Sequence, residues 1–358
     1  MSEVVDLATA FVAIPSPSRF EGALADLVES IVRGAPHLHV DRIGENVIAR
    51  TQLGRPRRVI IAGHLDTVAL EHAEPELIDG ELRGLGVVDM KGTLAAMTVA
   101  AIQLTEPAVD VTWIYYAREE IARPESGLLE LSREAPDLLK GDVAILGEPT
   151  DGVVEAGCQG TLHAEVHIGG VEAHSARPFM GRNAIHRMAV VLALVDEIEL
   201  RTVRIDGVDF VEQLQVVLVE GGRANNVVPA SATLTINHRF APDRSVDDAR
   251  RWLEGALADV LEADLGDSVR VIESAPGALP NLAHPVLARL VELSGGAVRA
   301  KVGWTDVATF DEMGIPAANF GAGDPLLAHH RGERLETTSL EVVVAVLSQL
   351  LTDPALAR

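Results

Sequence analysis

The chain has 358 residues, 47% of them hydrophobic, so it can bury a large core, and its length predicts two or three domains. Its formal net charge of −23 excludes a surface built to track nucleic-acid phosphates or to dock on anionic membranes. Cys158 is the one cysteine, which rules out an intrachain disulfide and fits a reducing, cytoplasmic compartment.

Val4, Val5, Leu7, Ala8, Phe11 and Val12 recur at helical spacing, and Pro15 and Pro17 close that helix. Residues 1–11 carry Glu3 and Asp6 and do not read as a signal peptide. A second amphipathic helix is predicted over 21–32, a turn and strand around 44–47, and a stronger strand over 58–62. A helix over 92–104, a strand over 111–117, a helix fragment over 128–131 and a strand over 142–146 follow. This alternation predicts an α/β domain with a mostly parallel sheet. Beyond Gly157 the pattern changes. Strands over 161–168, 213–219, 232–240 and 268–272 surround helices over 183–198 and 246–261, which is the β-α-β-β-α-β order of a ferredoxin-like α+β domain. The α/β pattern resumes near Leu279. The apolar run 342–347 is too short to span a bilayer.

In an open α/β sheet, ligands gather beyond the carboxyl ends of the strands. His64 and Asp66 follow the apolar run 59–62, Glu119 and Glu120 follow 111–116, Glu148 follows 143–146, and 317–320 leads towards His329. His64-Leu65-Asp66 puts two side chains on one side of an extended segment, so His64 can bind a metal while Asp66 orients it. The same pair also fits a strand-end histidine satisfied by its neighbour. Asp89, on a glycine-rich loop, can bridge two cations or cap the helix that starts at Gly92. Glu119 and Glu120, if extended, point in opposite directions, and one can act as a general base while the other binds metal. Pro149 keeps Glu148 out of helical geometry. His329 and His330 follow a loop signal, and either imidazole can bind metal. Imidazoles and carboxylates together suit two divalent cations, zinc among them, which about 3.5–4 Å apart polarise a carbonyl and acidify water.

In combination, His64-Leu65-Asp66-Thr67-Val68, Asp89-Met90-Lys91-Gly92, Glu119-Glu120, Gly147-Glu148-Pro149-Thr150 and Ala328-His329 followed by Glu333 resemble the motifs of the aminoacylase/carboxypeptidase/desuccinylase family of dinuclear zinc amidohydrolases. The resemblance covers almost the whole chain. It implies a catalytic domain of zinc-aminopeptidase-like fold over 1–157 and 277–358, interrupted by a lid and dimerisation domain over 158–276. It implies two divalent ions per chain, zinc with cobalt or manganese as alternatives. His64 and Glu148 would hold one ion, Glu120 and His329 the other, and Asp89 both, through a cis peptide bond between Asp89 and Met90. Asp66 would orient His64, and Glu119 would be the general base.

The segment around His174 resembles one whose histidine reaches across a dimer to stabilise an oxyanion. Asn225, Asn226 and Arg239 resemble substrate-binding positions, although Arg239 also fits a pair with Asp243. Thr305 fits a substrate-carboxylate ligand. His163, His167, His186, His238 and Cys158 read as structural. The implied protein is a cytoplasmic homodimer that hydrolyses a small N-acyl amino acid. Deacylases of other acyl groups and a catalytically silent binding protein are the alternatives, and the intact Glu119 favours an enzyme.

Overall fold

The computed structural model describes residues 2–357; Met1 and Arg358, the ends of the expected catalytic domain, lie outside them. The strands used below are β1 (His39–Ile43), β2 (Asn46–Arg50), β3 (Arg58–His64), β4 (Asp110–Tyr116), β5 (Val143–Leu146), β6 (Val154–Ala156), β7 (Gly160–Gly169), β8 (Gln213–Gly221), β9 (Ser231–Phe240), β10 (Ser268–Ala275), β11 (Val298–Ala300) and β12 (Ala317–Asn319). The helices are α1 (Glu3–Val12), α2 (Gly22–Arg33), α3 (Gly92–Gln103), α4 (Gly127–Glu134), α5 (Ala184–Glu197), α6 (Val246–Leu257), α7 (Pro285–Leu293), α8 (Val307–Glu312) and α9 (Thr337–Thr352). They form two compact units. The first comprises Met1–Gly157, Pro280–Lys301 and Thr305–Arg358, and the second Cys158–Leu279 and Val302–Trp304.

The first unit is built on an eight-stranded sheet in the order β1-β2-β4-β3-β5-β12-β6-β11. Its centre, β4-β3-β5-β12, is parallel. Antiparallel pairs join β1 to β2, β2 to β4, and β12 to β6, so the sheet is mixed rather than wholly parallel. The central strands are apolar and buried along nearly their whole length because both faces of the sheet are covered. Helix α3 is buried from Gly92 to Ala101. The chain approaches it closely at Gly63, where an added Cβ would lie 2.7 Å from Met90 Cε and 2.8 Å from Leu94 Cδ2. A larger residue just before His64 would therefore push that histidine away.

The second unit has a four-stranded antiparallel sheet in the order β8-β9-β7-β10. With α5 and α6 it gives the split β-α-β-β-α-β arrangement. Along β9, Ala232, Leu234, Ile236, His238 and Phe240 are buried, alternating with more exposed residues. Helix α6 starts with a capping box between Ser245 and Asp248 and ends at Leu257, not at 261. The chain there tightens into i→i+3 turns, Ala258 N to Gly255 O and Val260 N to Leu257 O, so the apolar pattern outlasts the helix.

Candidate metal centre

Strand β3 ends on His64, whose ring is buried. Its Nδ1 lies 2.9 Å from the backbone carbonyl of Asp66. A carbonyl only accepts, so Nδ1 carries the hydrogen and Nε2 faces the centre. There Nε2 lies 3.0 Å from Asp89 Oδ1. The second oxygen of Asp89 lies 3.2 Å from His329 Nε2, which is also 2.9 Å from Glu120 Oε1. One carboxylate thus spans two imidazoles from opposite ends of the sequence. The Asp89–Met90 peptide bond is cis, and His329 has a left-handed backbone with φ 57°. Ligand atoms of His64, Asp89 and Glu148 lie within 4.8 Å of one another, as do those of Asp89, Glu120 and His329, and of His64, Glu119 and Glu120.

Two details differ from the sequence expectation. Glu119 and Glu120 do not diverge as in a strand. Arg118 is left-handed, with φ 61°, and turns the chain so that both carboxylates approach His64. Asp66 is also placed differently from the expected geometry. Its carbonyl fixes His64, whereas its carboxylate, 3.6 Å from Nδ1, accepts hydrogen bonds from Glu119 N at 2.9 Å, Glu120 N at 3.0 Å and Ser18 Oγ at 2.7 Å.

The electrostatics follow from crowding. Burial pushes the Glu148 carboxyl up to about 7, with Asp89 adding to the shift, and its Oε1 is buried without a hydrogen-bond partner. Burial likewise raises Glu119 well above the carboxylate range; His64 opposes the shift, and Glu148, Glu120 and Asp306 reinforce it. Hydrogen bonds to Asp89 and Glu120 lift His329 to about 10. Burial opposes charge on His64, but Asp89 and the surrounding carboxylates outweigh it and raise its pKa. A buried, partnerless carboxylate oxygen beside imidazoles and further carboxylates is the donor set that divalent metals take, zinc in particular. The residues fit such ions.

Sequence reasoning missed the cations behind Glu148. Arg299, on β11, donates through Nη2 to Thr150 O at 2.8 Å, and Lys301, just past the end of that strand, donates through Nζ to Pro149 O at 3.3 Å. Both also pair with Glu155, so they fix the turn that carries Glu148. The available signal was two cations spaced two apart, at and just beyond a short strand of an acidic chain. Thr305 is buried, and its hydroxyl donates to Asn319 Oδ1 at 3.1 Å. The other expected site residues lie in the second unit. His174, Asn225 and Asn226 are exposed on and beside the pairing of Ala173–His174 with Val227–Val228. Arg239 lies on β9 opposite Thr161 and Gln213. Asp243 pairs with Arg201 through a 2.7 Å contact.

Residues 60–353 match the model of peptidase family M20/M25/M40, and the chain belongs to that family. It is 41% identical over 362 residues to the succinyl-diaminopimelate desuccinylase of Corynebacterium glutamicum, covering 99% of this chain and 97% of that one. It is 45% identical over 349 residues, 97% of each chain, to a Mycobacterium tuberculosis protein provisionally named a succinyl-diaminopimelate desuccinylase. A Staphylococcus aureus tripeptidase superimposes with a TM-score of 0.81 at 19% identity, covering 99% of this chain and 98% of that one. YXEP of Bacillus subtilis, described as a dinuclear metal-binding peptidase of the M20 family, gives 0.70 at 16% identity, covering 98% and 96%. These two share the fold. The chain is a hydrolase of this metallopeptidase family, with residue groups suited to metal.

Proposed function

We propose that this chain hydrolyses N-succinyl-LL-2,6-diaminopimelate to succinate and LL-2,6-diaminopimelate, a step in lysine biosynthesis. The observation that carries this reading is the 41% identity to the C. glutamicum desuccinylase across 99% of the chain. Two divalent ions serve the reaction, zinc foremost, with cobalt or manganese as alternatives. His64 and Glu148 would hold one, Glu120 and His329 the other, and Asp89 both. Once bound, they supply Lewis acidity to the acyl carbonyl and to the attacking water. Glu119 takes the proton from that water and returns it to the leaving amine. Its raised pKa, caused first by burial, suits a group that both accepts and donates a proton. Asp66 holds Glu119 and Glu120 in place by their backbone N–H groups.

The second unit is read as the lid and dimerisation domain, and the protein as a cytoplasmic homodimer. Among the described residues no helix is long and apolar enough to cross a membrane. Strand β8 is a sheet edge, and it exposes Val217, Leu218 and Val219. An apolar edge of this kind invites pairing with a second copy. His174, supplied by the partner subunit, stabilises the oxyanion, and Arg239, Asn225, Asn226 and Thr305 bind the substrate.

The test is a substrate panel with zinc-loaded protein. Succinyl-diaminopimelate should be turned over with a higher kcat/KM than acetylornithine, and the reverse order would overturn the assignment. For the trans role, inactive Glu119→Gln chains mixed with inactive His174→Ala chains should recover partial activity. Absence of recovery despite measured subunit exchange would place His174 outside the partner's site.

A further inference from the structure

Where β4 ends, four consecutive backbone N–H groups are each accepted by a side chain from elsewhere. Ala117 N donates to Asn46 Oδ1 at 3.0 Å, Arg118 N to Glu21 Oε1 at 3.0 Å, and Glu119 N and Glu120 N to the two oxygens of Asp66 at 2.9 and 3.0 Å. No strand partner takes these groups; three side-chain acceptors hold them, while Gly127 N donates to Ala117 O at 2.7 Å and the Arg118 side chain donates to Glu125 O at 2.8 Å. Of the three side-chain acceptors, Glu21 is the least expected. It stands at the start of α2, yet its carboxylate makes no cap bond to that helix. It is fully buried, and the same Oε1 also accepts from Arg19 N at 3.0 Å. Both donors belong to left-handed non-glycine residues, Arg19 with φ 76° and Arg118 with φ 61°. Such conformations cost energy and persist where surroundings over-determine them. Arg19 leads back to Ser18, whose hydroxyl reaches Asp66, so the two acidic residues brace one another's loops.

We infer that Glu21 is a positioning residue for the Glu119–Glu120 pair, gripping the turn at Arg118 that brings both carboxylates to the metal centre. This rests on the reading of Glu119 as base and Glu120 as metal ligand. Glu21 belongs to none of the residue groups that could hold a metal. It acts through the backbone, and the needed feature is an acceptor oxygen at Oε1. Its other oxygen, Oε2, is buried with no hydrogen-bond partner, so an amide nitrogen there would break no bond.

The experiment compares Glu21→Ala, Glu21→Asp and Glu21→Gln in the full-length, zinc-loaded chain, with Glu119→Gln alongside. Amide hydrogen exchange is followed in the metal-free chain over the peptide spanning 117–121. Loss of a bond to a charged acceptor should speed exchange there about tenfold or more in Glu21→Ala. Its kcat should fall by about tenfold to a hundredfold, the usual penalty for displacing a reacting group by about 1 Å, while KM changes little. Glu21→Asp keeps the charge but retracts the oxygen, and should show the same direction of change if the alanine variant does not fold. Glu21→Gln keeps the acceptor and should restore kcat to within about threefold, a neutral bond being the weaker one. Wild-type exchange and kcat in Glu21→Ala, or in Glu21→Asp where only that variant folds, would overturn the proposal. Equal damage in Glu21→Gln and Glu21→Ala would also overturn it, by assigning the effect to charge. If Glu119→Gln keeps full turnover, the base assignment falls instead, while the exchange data still judge the grip on Arg118.

Discussion

His329 in the first unit and His238 in the second carry the same side chain into opposite surroundings. Asp89 and Glu120 raise the former to about 10, whereas burial, with Arg244 and Arg201 nearby, pushes the latter down to about 4. The carboxylates of the candidate metal centre differ in the same way from two buried carboxylates of the second unit. In the second unit Glu212 faces Arg201 at 2.9 Å, and Asp267 faces Arg187 at 2.6 Å. Arginine keeps its charge at any working pH, so the positive partner of these pairs is not released. In the first unit Asp89 and Glu120 meet an imidazole, and Glu148 meets no partner at its Oε1. Imidazole can give up its proton. A carboxylate cluster answered by releasable charge is open to exchange with metal, and one answered by arginine is closed to it.

The largest effect that tests this contrast is expected at Glu119. Glu119→Gln should lose about 10²–10⁴-fold in turnover and keep its metal, since general-base catalysis contributes about that much. Glu120→Gln should instead lower the metal content found after dialysis against limiting zinc. Exchanged phenotypes would reverse the two roles. A smaller effect probes whether an arginine of the second unit serves substrate rather than structure. Arg239→Lys keeps the charge but loses the planar fork, and kcat/KM for succinyl-diaminopimelate should fall by about 10- to 150-fold, the equivalent of about 1.5–3 kcal/mol. Unchanged kcat/KM would return Arg239 to a structural role.

Asp267→Asn should break the closed side of the comparison. It should destabilise the second unit by about 3 kcal/mol in denaturant titration, the low end for a broken buried pair. The low end applies because Glu262 still faces Arg187 at 3.1 Å. Metal content should not change, and a fall would show that the arginine pairs also serve the centre. The smallest effect is in acid. Burial alone would raise the Asp267 pKa, but Arg187 and the N–H groups of Glu262 and Gly169 outweigh it and lower it. A lowered folded-state pKa gives stability that is present above the unfolded value, near 3.9, and lost as pH falls through the folded one. The second unit should therefore lose this contribution below about pH 4, and Asp267→Asn should abolish that limb of the curve.

The residues that the structure gathers at the candidate metal centre were legible because strand ends can be read from apolar runs, and the runs before His64, Glu119 and Glu148 are clear. The left-handed Arg118 was not, since nothing local demands it. Its backbone N–H bonds Glu21, 97 positions away in sequence. The divided role of Asp66 was hidden for the same reason. Its spacing from His64 is right for an orienting carboxylate, but the carbonyl does that work once Ser18, Glu119 and Glu120 occupy the side chain. The parallel centre of the first sheet followed from alternating helices and strands. Its antiparallel margins did not, because β6, β11 and β12 are three residues long and too short to show a period. In the second unit β7 and β9 alternate cleanly and were read almost to the residue. Helix α6 was overextended, since apolar residues continue past the point where its hydrogen bonds tighten.

Cys158, the chain's one cysteine, lies buried at the first residue of the second unit, where its backbone exchanges two hydrogen bonds with Ala278. A thiol reagent therefore has a single target, and that target is shielded until the paired segment around Cys158 and Ala278 opens. The rate of labelling becomes a clock for that opening in the unmodified chain, since reaction of a shielded group tracks the population of its open form. The same clock can be run with and without zinc or substrate, which converts the chain's one cysteine into a gauge of how firmly the Cys158–Ala278 pairing is held.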